Sequence, residues 1–387
     1  MRKSILILLS LFMGISVFAQ QFEAEKKNPE DFKAVKVYVG ADFAIQFQAI
    51  NHEASIELLD IKNNFNLPTA NLSINADLAP GISVHLNNYM SSRHHNEAWV
   101  EGGYMLIDAL PFLPAADGIM KYLTIKAGVF NPNYGDAHFY RSNNGAVTNN
   151  PFVGNWIMDA FTTNPGVEFM YRNKGFLAMV GTNNGRLNYG RGNDLGKDLV
   201  FNWKVGYDSQ LTEDLRIRAT LSGYHVGENH SGSYLWDGDR AGARYYSVMQ
   251  AVGASDNFRS GRWSPGSGQT DMTSIMANAF VKYHGLEVFG VYENMKAKKG
   301  TADQHFTQSA VQALYRTGSF YFGGRYNKVS DNAESTVTRT NFGGGWNMLS
   351  SVLVKLDYVN QKYEGVAHGD IDGGKFKGVV LEAAISF

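Results

Sequence analysis

The sequence contains no cysteine among its 387 residues, so it forms no disulfide bonds and offers no thiolate for catalysis or metal binding. It also lacks long apolar runs after its N-terminus, where no stretch reaches the roughly 18 apolar residues that a membrane-spanning helix requires. Neither sign of charge dominates, because 35 Lys+Arg stand against 36 Asp+Glu, and this balance gives no support to nucleic-acid binding. Proline is scarce (9 residues), whereas glycine (41), tyrosine (20) and phenylalanine (24) are common, which favours many strands with tight turns.

The N-terminus has the pattern of a secretory signal peptide. Arg2 and Lys3 precede an apolar run over residues 4–18, and Val17-Phe18-Ala19 has the small-residue spacing of a cleavage site. A membrane anchor is the alternative, but the run is short for a spanning helix and no stop-transfer charges follow it. We therefore predict a signal peptide at residues 1–19, a short periplasmic segment at residues 20–34 and an outer-membrane β-barrel at residues 35–387.

Apolar and polar residues alternate along most of the remaining chain. In residues 37–49 every second residue is apolar, and the other face carries Tyr38, Asp42, Gln46 and Gln48, which is the period of a strand with one apolar face. About sixteen such segments follow one another, and their connections alternate between short and long almost throughout. The predicted long connections include residues 297–305 and 329–337, and residues 227–271, which are predicted to cap the barrel, with a ligand-gathering vestibule as the alternative. The connection at residues 110–120 is longer than the other short ones and indicates a helical patch. In hydrocarbon every backbone N–H and C=O needs an internal partner, and a closed sheet supplies one. The predicted fold is all-β, a transmembrane antiparallel β-barrel of about sixteen strands.

A run of roughly thirty-five residues at positions 131–165 interrupts this pattern after an alternating segment at residues 123–130. It is rich in Asn and Gly and contains Asp136, His138 and Arg141. So long a loop within a compact domain is usually functional. A barrel of this strand number is too wide for its own side chains to fill. We therefore predict that this third long external loop folds into the barrel and narrows it.

The final segment ends the chain on an aromatic residue. Val379, Leu381, Ala383 and Ile385 occupy alternate positions, and Phe387 is the last residue. This pattern is similar to the C-terminal signature of outer-membrane barrels, which implies recognition by the barrel-assembly machinery. Phe387 is the predicted assembly signal.

A family resemblance rests on the order of several motifs around the long loop. They are VFNPNYGD at residues 129–136, RSN at residues 141–143, an alternating strand at residues 166–171 and VGTNNG at residues 180–185. This order resembles the porin O and P family of phosphate-selective porins found in Bacteroidota. The resemblance implies a homotrimeric porin in the outer membrane of a Gram-negative bacterium, giving passive diffusion of small hydrophilic solutes and anions such as phosphate. One feature departs from the family: its phosphate selectivity is associated with clustered lysines near the constriction, whereas this loop has only Arg141 with His138.

Charged residues of both signs are predicted to line the channel. Those on strands face inward by the two-residue period, and those in the loop stand at the expected constriction. The candidates are Lys126, Asp136, His138, Arg141, Lys204, Arg216, Arg218, Arg325 and Arg339. Acidic residues of the same inward phase, among them Glu168, Asp208 and Asp357, nearly balance the basic ones and indicate a weakly selective pore.

Other function classes are less well supported by the sequence. The best non-transport alternative is a barrel-anchored surface adhesin or receptor, because the external loops are extensive. That alternative predicts a blocked lumen, whereas a porin predicts an open one. No Ser–His–acid grouping stands out and no motif has the spacing of a metal or cofactor site, so we predict neither enzymatic activity nor a cofactor. The expected partners are small solutes or anions, outer-membrane lipid, the barrel-assembly machinery and further copies of the chain.

Overall fold

The computed structural model describes residues 20–92, 97–142, 147–187, 198–238, 244–255, 257 and 259–387. The predicted signal peptide lies outside these residues. Sixteen strands pair antiparallel in chain order, and the last pairs with the first to close the sheet, which confirms the predicted fold class. The strands are β1 (Lys36–Glu53), β2 (Asn64–Ala79), β3 (Ile82–Met90), β4 (Trp99–Ile107), β5 (Leu123–Phe130), β6 (Asn164–Asn173), β7 (Phe176–Asn183), β8 (Val200–Gln210), β9 (Leu215–Val226), β10 (Thr270–Tyr283), β11 (Leu286–Lys299), β12 (Ala302–Thr317), β13 (Phe320–Asp331), β14 (Thr336–Leu349), β15 (Val352–Glu364) and β16 (Lys375–Ser386).

The strands present an apolar face outward and a polar face inward. In β12, Val311 and Tyr315 are exposed on the outside, whereas Gln308 and Gln312 are buried inside the barrel. An outer band of aliphatic and aromatic side chains around a polar interior is the surface that a bilayer requires of a barrel. The protein is therefore an outer-membrane barrel, as predicted.

Connections at one end of the barrel, here called the turn end, are short. The turns at residues 80–81, 174–175, 211–214, 284–285, 318–319 and 350–351 lie there, and this end is assigned to the periplasm. The exception is the connection between β4 and β5, where the sequence also indicated a helical patch. It contains a 3₁₀ turn (Pro114–Ala116) and an α-helical turn, α1 (Asp117–Met120). No helix within the described ranges is long and apolar enough to cross a membrane.

The prediction of a long external loop is wrong at two positions. Long loops were expected at residues 297–305 and 329–337, but β11 and β12 are joined by residues 300–301 and β13 and β14 by residues 332–335. The outward-facing positions there are polar, although Val329 and Val337 face the lumen, and Lys298 pairs directly with Asp303 across the hairpin. A strand that rises above the bilayer has no lipid to contact, so it keeps its ladder without an apolar face. Loss of alternation therefore marks the membrane boundary here and not the strand end.

The last residue closes the barrel through its backbone. Phe387 donates its N–H to the Ala41 carbonyl at 3.0 Å and accepts from the Ala41 N–H at 2.9 Å. A Cβ atom at Gly40 would stand 2.8 Å from the Phe387 carbonyl oxygen, so this close approach requires glycine. The Phe387 side chain points outward and is exposed to the membrane boundary.

Deleting Phe387 is expected to lower the amount of folded barrel in the outer membrane, because it removes both backbone bonds to Ala41. Phe387→Asp keeps those bonds but places a charge at the interface, so we expect a reduction there too. The folded fraction is measured from the mobility difference between unheated and boiled samples on SDS gels. Phe387→Tyr is the matched control, and wild-type amounts for the deletion would show that the terminal residue is dispensable.

The largest apolar cluster lies inside the barrel. Three segments supply most of its non-strand members. They are loop 3 (residues 131–163), loop 5 (residues 227–269) and the N-terminal strap (residues 20–27). Loop 3 runs from β5 to β6 and contacts the inner wall as far round as β15, which confirms that the third long loop folds inward.

Candidate channel lumen

Asp136 binds the start of loop 3 to the barrel wall. Its carboxylate accepts hydrogen bonds from Arg218 Nε and Nη2, each at 2.8 Å. Lys204 Nζ at 3.0 Å and Thr220 Oγ1 at 2.8 Å complete the set. Burial opposes ionisation, but Lys204 and Arg218 hold the pKa of the Asp136 carboxyl well below its ordinary value. Loop 3 is therefore fastened at its first turn by charge-assisted hydrogen bonds.

His138 lies two residues further along this turn of loop 3. Burial, assisted by the positive charge of Lys204, lowers the pKa of His138 to about 3. Its imidazole is thus neutral at physiological pH and adds no charge to the lumen.

The middle of loop 3 is held by two buried arginines of the wall. Arg325 donates to the Gly154 carbonyl at 2.8 Å and to Asn150 Oδ1 at 3.0 Å. Arg339 donates to the Asn155 carbonyl at 2.5 Å and also reaches loop 5, where the Gly261 carbonyl accepts at 2.6 Å. Both guanidinium groups therefore donate hydrogen bonds to buried backbone carbonyls of irregular loops, which have no strand ladder to satisfy them.

Lys355 and Glu382 form a second anchor at the far side of the barrel. Lys355 Nζ lies 2.7 Å from Glu382 Oε1 and donates to three loop 3 carbonyls, those of Val147, Asn150 and Phe152, at 3.1–3.4 Å. The other carboxylate oxygen of Glu382 accepts from Arg244 Nη2 of loop 5 at 2.7 Å. One buried carboxylate therefore connects the wall to both inward loops.

Loop 5 follows a similar course, which the sequence did not predict. Its Tyr245 hydroxyl donates to Asp357 at 3.1 Å, and the Tyr246 N–H donates to Gln48 at 2.9 Å. The sequence clue was present in the arginines and tyrosines of this loop, but they were interpreted as a cap above the barrel. Loop side chains that bond to the opposite wall follow no periodic pattern, so the sequence does not indicate which residues they contact.

The N-terminal strap is the third inward segment and was expected to lie in the periplasm. Phe22 is buried among Phe139, Tyr140 and Phe280, at ring-centroid distances of 5.4–6.4 Å. Glu23 forms an ion pair with Arg218 at 2.7 Å. The strap therefore lies directly under loop 3.

A cavity of about 520 Å³ remains between the strap, loop 3 and the wall formed by β2–β6. Polar side chains of the wall, including Asn75, His85, Asn87 and Tyr104, line it. Its charged lining consists of Glu23, Glu25, Glu101, Asp108, Glu168, Lys126 and Arg172. Carboxylates therefore outnumber cations around this space.

Lys126 is the sequence-predicted cation that borders the cavity. Its ammonium lies 4.2 Å from the ring centroid of Phe130 and 4.6 Å from that of Tyr104. Glu168 is its register partner on β6, yet within the described part of the chain the Lys126 ammonium has no ion pair or hydrogen bond. Attraction to the two ring faces is what holds this cation beside open space.

Of the other predicted candidates, His138 also lines the cavity, whereas five basic residues lie behind or within loop 3. Lys204, Arg218, Arg325 and Arg339 are buried against the loop, and Arg141 is buried inside it in an ion pair with Asp159. Arg216 lies at the turn end, where Asp208 accepts from it at 2.8 and 2.9 Å. Across the described ranges no group of three or more His, Asp or Glu side chains could hold a metal ion.

Comparison with known proteins supports the fold and leaves the family open. No protein-family model matches the sequence, and no curated protein matches it either. Among solved structures, the trimer form of OmpT, an outer-membrane protein of Vibrio cholerae, matches with a TM-score of 0.55 at 11% identity over 92% of this chain and 100% of that one. The anion-selective porin from Comamonas acidovorans gives 0.55 at 12% identity over 91% and 100%. OprB of Pseudomonas putida gives 0.54 at 12% identity over 92% and 94%. The chain has the fold of outer-membrane porins.

Proposed function

We propose that this protein is a non-enzymatic porin through which small hydrophilic solutes and ions diffuse passively across the outer membrane. The cavity between β2–β6 and loop 3 is the observation that carries this proposal. Charged and amide side chains border it, as the lining of an aqueous path requires. Its off-centre position follows from loops 3 and 5, which occupy the opposite side of the barrel.

The size and charge of the cavity suggest which solutes pass. A space of about 520 Å³ favours ions and small solutes over large ones. The resemblance to phosphate-selective porins implies a preference for anions, and Lys126 is the cation available to them. Glu101, Asp108 and Glu168 border the same space and oppose that preference, so we propose weak selectivity with phosphate passing as one small solute among others.

A planar-bilayer recording and a liposome-swelling assay test the channel proposal. We expect discrete conductance steps from the purified protein and swelling rates that fall as solute size increases. A homotrimer is also proposed, supported by the trimer form of a structurally similar protein, and the same recordings would then show steps in groups of three. Absence of both conductance and swelling would contradict the porin.

Lys126→Glu is expected to shift the reversal potential in a salt gradient toward cations. The change puts a carboxylate in place of a lining cation that has no ion pair or hydrogen bond within the described residues, and the shift should grow at low salt, where screening is weak. Lys121→Glu, an exposed change of equal charge in the turn before β5, is the control. Equal shifts for the two variants would place Lys126 away from the ion path.

A barrel-anchored adhesin or receptor is the second candidate. It is favoured by the extent to which loop 3, loop 5 and the strap fill the barrel. This candidate predicts a wild-type protein that does not conduct, so the bilayer recording separates the two.

A further inference from the structure

We propose that the N-terminal strap is a displaceable plug that narrows the periplasmic side of the lumen. The inference rests on the proposed channel function, since a plug needs a path to close. Five of the barrel residues that the strap bonds lie at or near the turn end, which is assigned to the periplasm. They are Asp77, Asp108, Leu123, Arg172 and Arg216. The strap therefore crosses the barrel mouth from β9 to β2.

Phe22 and Glu23 attach the strap to the barrel wall at β8 and β9. Besides its three aromatic neighbours, Phe22 has the guanidinium carbon of Arg218 4.3 Å from its ring centroid. Glu23 accepts from Arg218 Nη2 at 2.8 Å and lies 3.6 Å from Lys204 Nζ. Arg218 and Lys204 are the same cations that bind Asp136, so the strap and loop 3 form ion pairs with the same two wall residues.

Lysines fasten the other side. Lys26 Nζ donates to the Asp108 carbonyl at 2.5 Å and to the Leu123 carbonyl at 2.7 Å. Lys27 pairs with Asp77 of β2. With both sides attached, residues 21–25 form one boundary of the cavity, and a solute leaving toward the periplasm must pass them.

The strap can leave without disturbing the barrel. Its contacts are side-chain bonds and isolated carbonyls, and within the described residues no part of residues 20–35 belongs to a strand of the sheet. Residues 28–35, which link it to β1, contain no buried residue. Eight extended residues reach roughly 26 Å, enough to swing the strap clear of the mouth. Release therefore breaks the contacts of Phe22, Glu23, Lys26 and Lys27 while every strand pair remains.

The first test is single-channel recording of Phe22→Ala/Glu23→Gln, with the exposed pair Glu30→Gln/Asp31→Asn as control for charge loss in the same segment. We expect the first variant to conduct at least about twofold more than wild type, since the constriction on the periplasmic side is widened, and the control to match wild type. Mass spectrometry of the exported protein verifies that processing is unchanged.

The second test ties the strap down. The chain has no native cysteine, so Phe22→Cys/Phe280→Cys can be joined by a short bis-thiosulfonate reagent and released by reductant. Conductance should be low when the pair is joined and rise on reduction. A conducting wild type whose conductance is unaffected by either set of variants would overturn the plug and leave the porin standing. If the wild type, the Phe22→Ala/Glu23→Gln variant and a variant with loop 3 deleted all fail to conduct, both the plug and the porin are overturned.

Discussion

Replacing residues 134–161 of loop 3 with a short Gly–Ser linker is expected to raise single-channel conductance several-fold. Conduction is set by the narrowest section, and loop 3 fills the side of the barrel lined by β8–β15. The barrel should still form, because its ladder is complete without the loop. Folding is verified first from the mobility difference between unheated and boiled samples on SDS gels.

The same deletion should move ion preference toward anions. It removes Asp136 and Asp159 together with Arg141, a net loss of one negative charge. It also uncovers five wall cations that loop 3 now covers, Lys204, Arg218, Arg325, Arg339 and Lys355, and they outnumber the carboxylates of Glu293 and Asp357 that it uncovers. Rings of basic side chains favour anions, so the reversal potential in a salt gradient should change in that direction.

Loop 8 (residues 365–374) supplies the control, since it has no buried residue apart from Gly374 and lies outside the barrel. Replacing residues 366–373 with the same linker should leave conductance unchanged. Equal conductance for the loop 3 deletion and wild type would mean that the loop does not limit the path.

Glu382→Ala is expected to lower the apparent stability of the barrel by about 3–5 kcal/mol, the usual cost of removing one member of a buried ion pair. Lys355 and Glu382 are each 0% exposed. Without the carboxylate, the buried Lys355 and Arg244 charges face each other unneutralised. Urea titration of the protein in detergent, followed by the loss of heat-modifiable mobility, measures the effect.

Glu53→Gln is the matched control for this carboxylate. Glu53 pairs with Lys375 at 2.6 Å on the exposed outer rim, where solvent screens the ion pair and it contributes little to stability. Combining Glu382→Leu with Lys355→Met should recover part of the loss, because it removes the unpaired ammonium as well. A Glu382→Ala effect no larger than that of Glu53→Gln would contradict the anchoring role.

The strands could be predicted from sequence because a bilayer imposes a strict two-residue period. Val311 and Gln312 differ in polarity for one reason only, that they face lipid and lumen, and no tertiary contact is needed to see it. The prediction failed where lipid stops, as at Lys298 and Asp303, since strands above the membrane lose the apolar face.

The lumen was less predictable because its contacts join residues far apart in the chain. Arg339 reads as an inward cation from its phase, but its partners at Asn155 and Gly261 lie on two different loops. Phe22 belongs to no periodic segment, and nothing near it in sequence indicates Phe280. The two-residue period predicts which face of a strand a side chain lies on, whereas its hydrogen-bond partner depends on the course of the irregular loops inside the barrel.

Pairing of the first strand with the last has a consequence for biogenesis. Asp42 faces Ser386, so the sheet keeps two open edges until the final residues have been synthesised and exported. The entropic cost of joining two segments grows only with the logarithm of their separation in the chain. The time during which the two edges stay unpaired is therefore a greater risk for aggregation than the length of the loop that must be closed. A chain truncated before β16 has no partner for β1 and carries a permanent unpaired edge, which is a template for aggregation. Completion of the barrel therefore depends on the one hydrogen-bonded seam between β1 and β16.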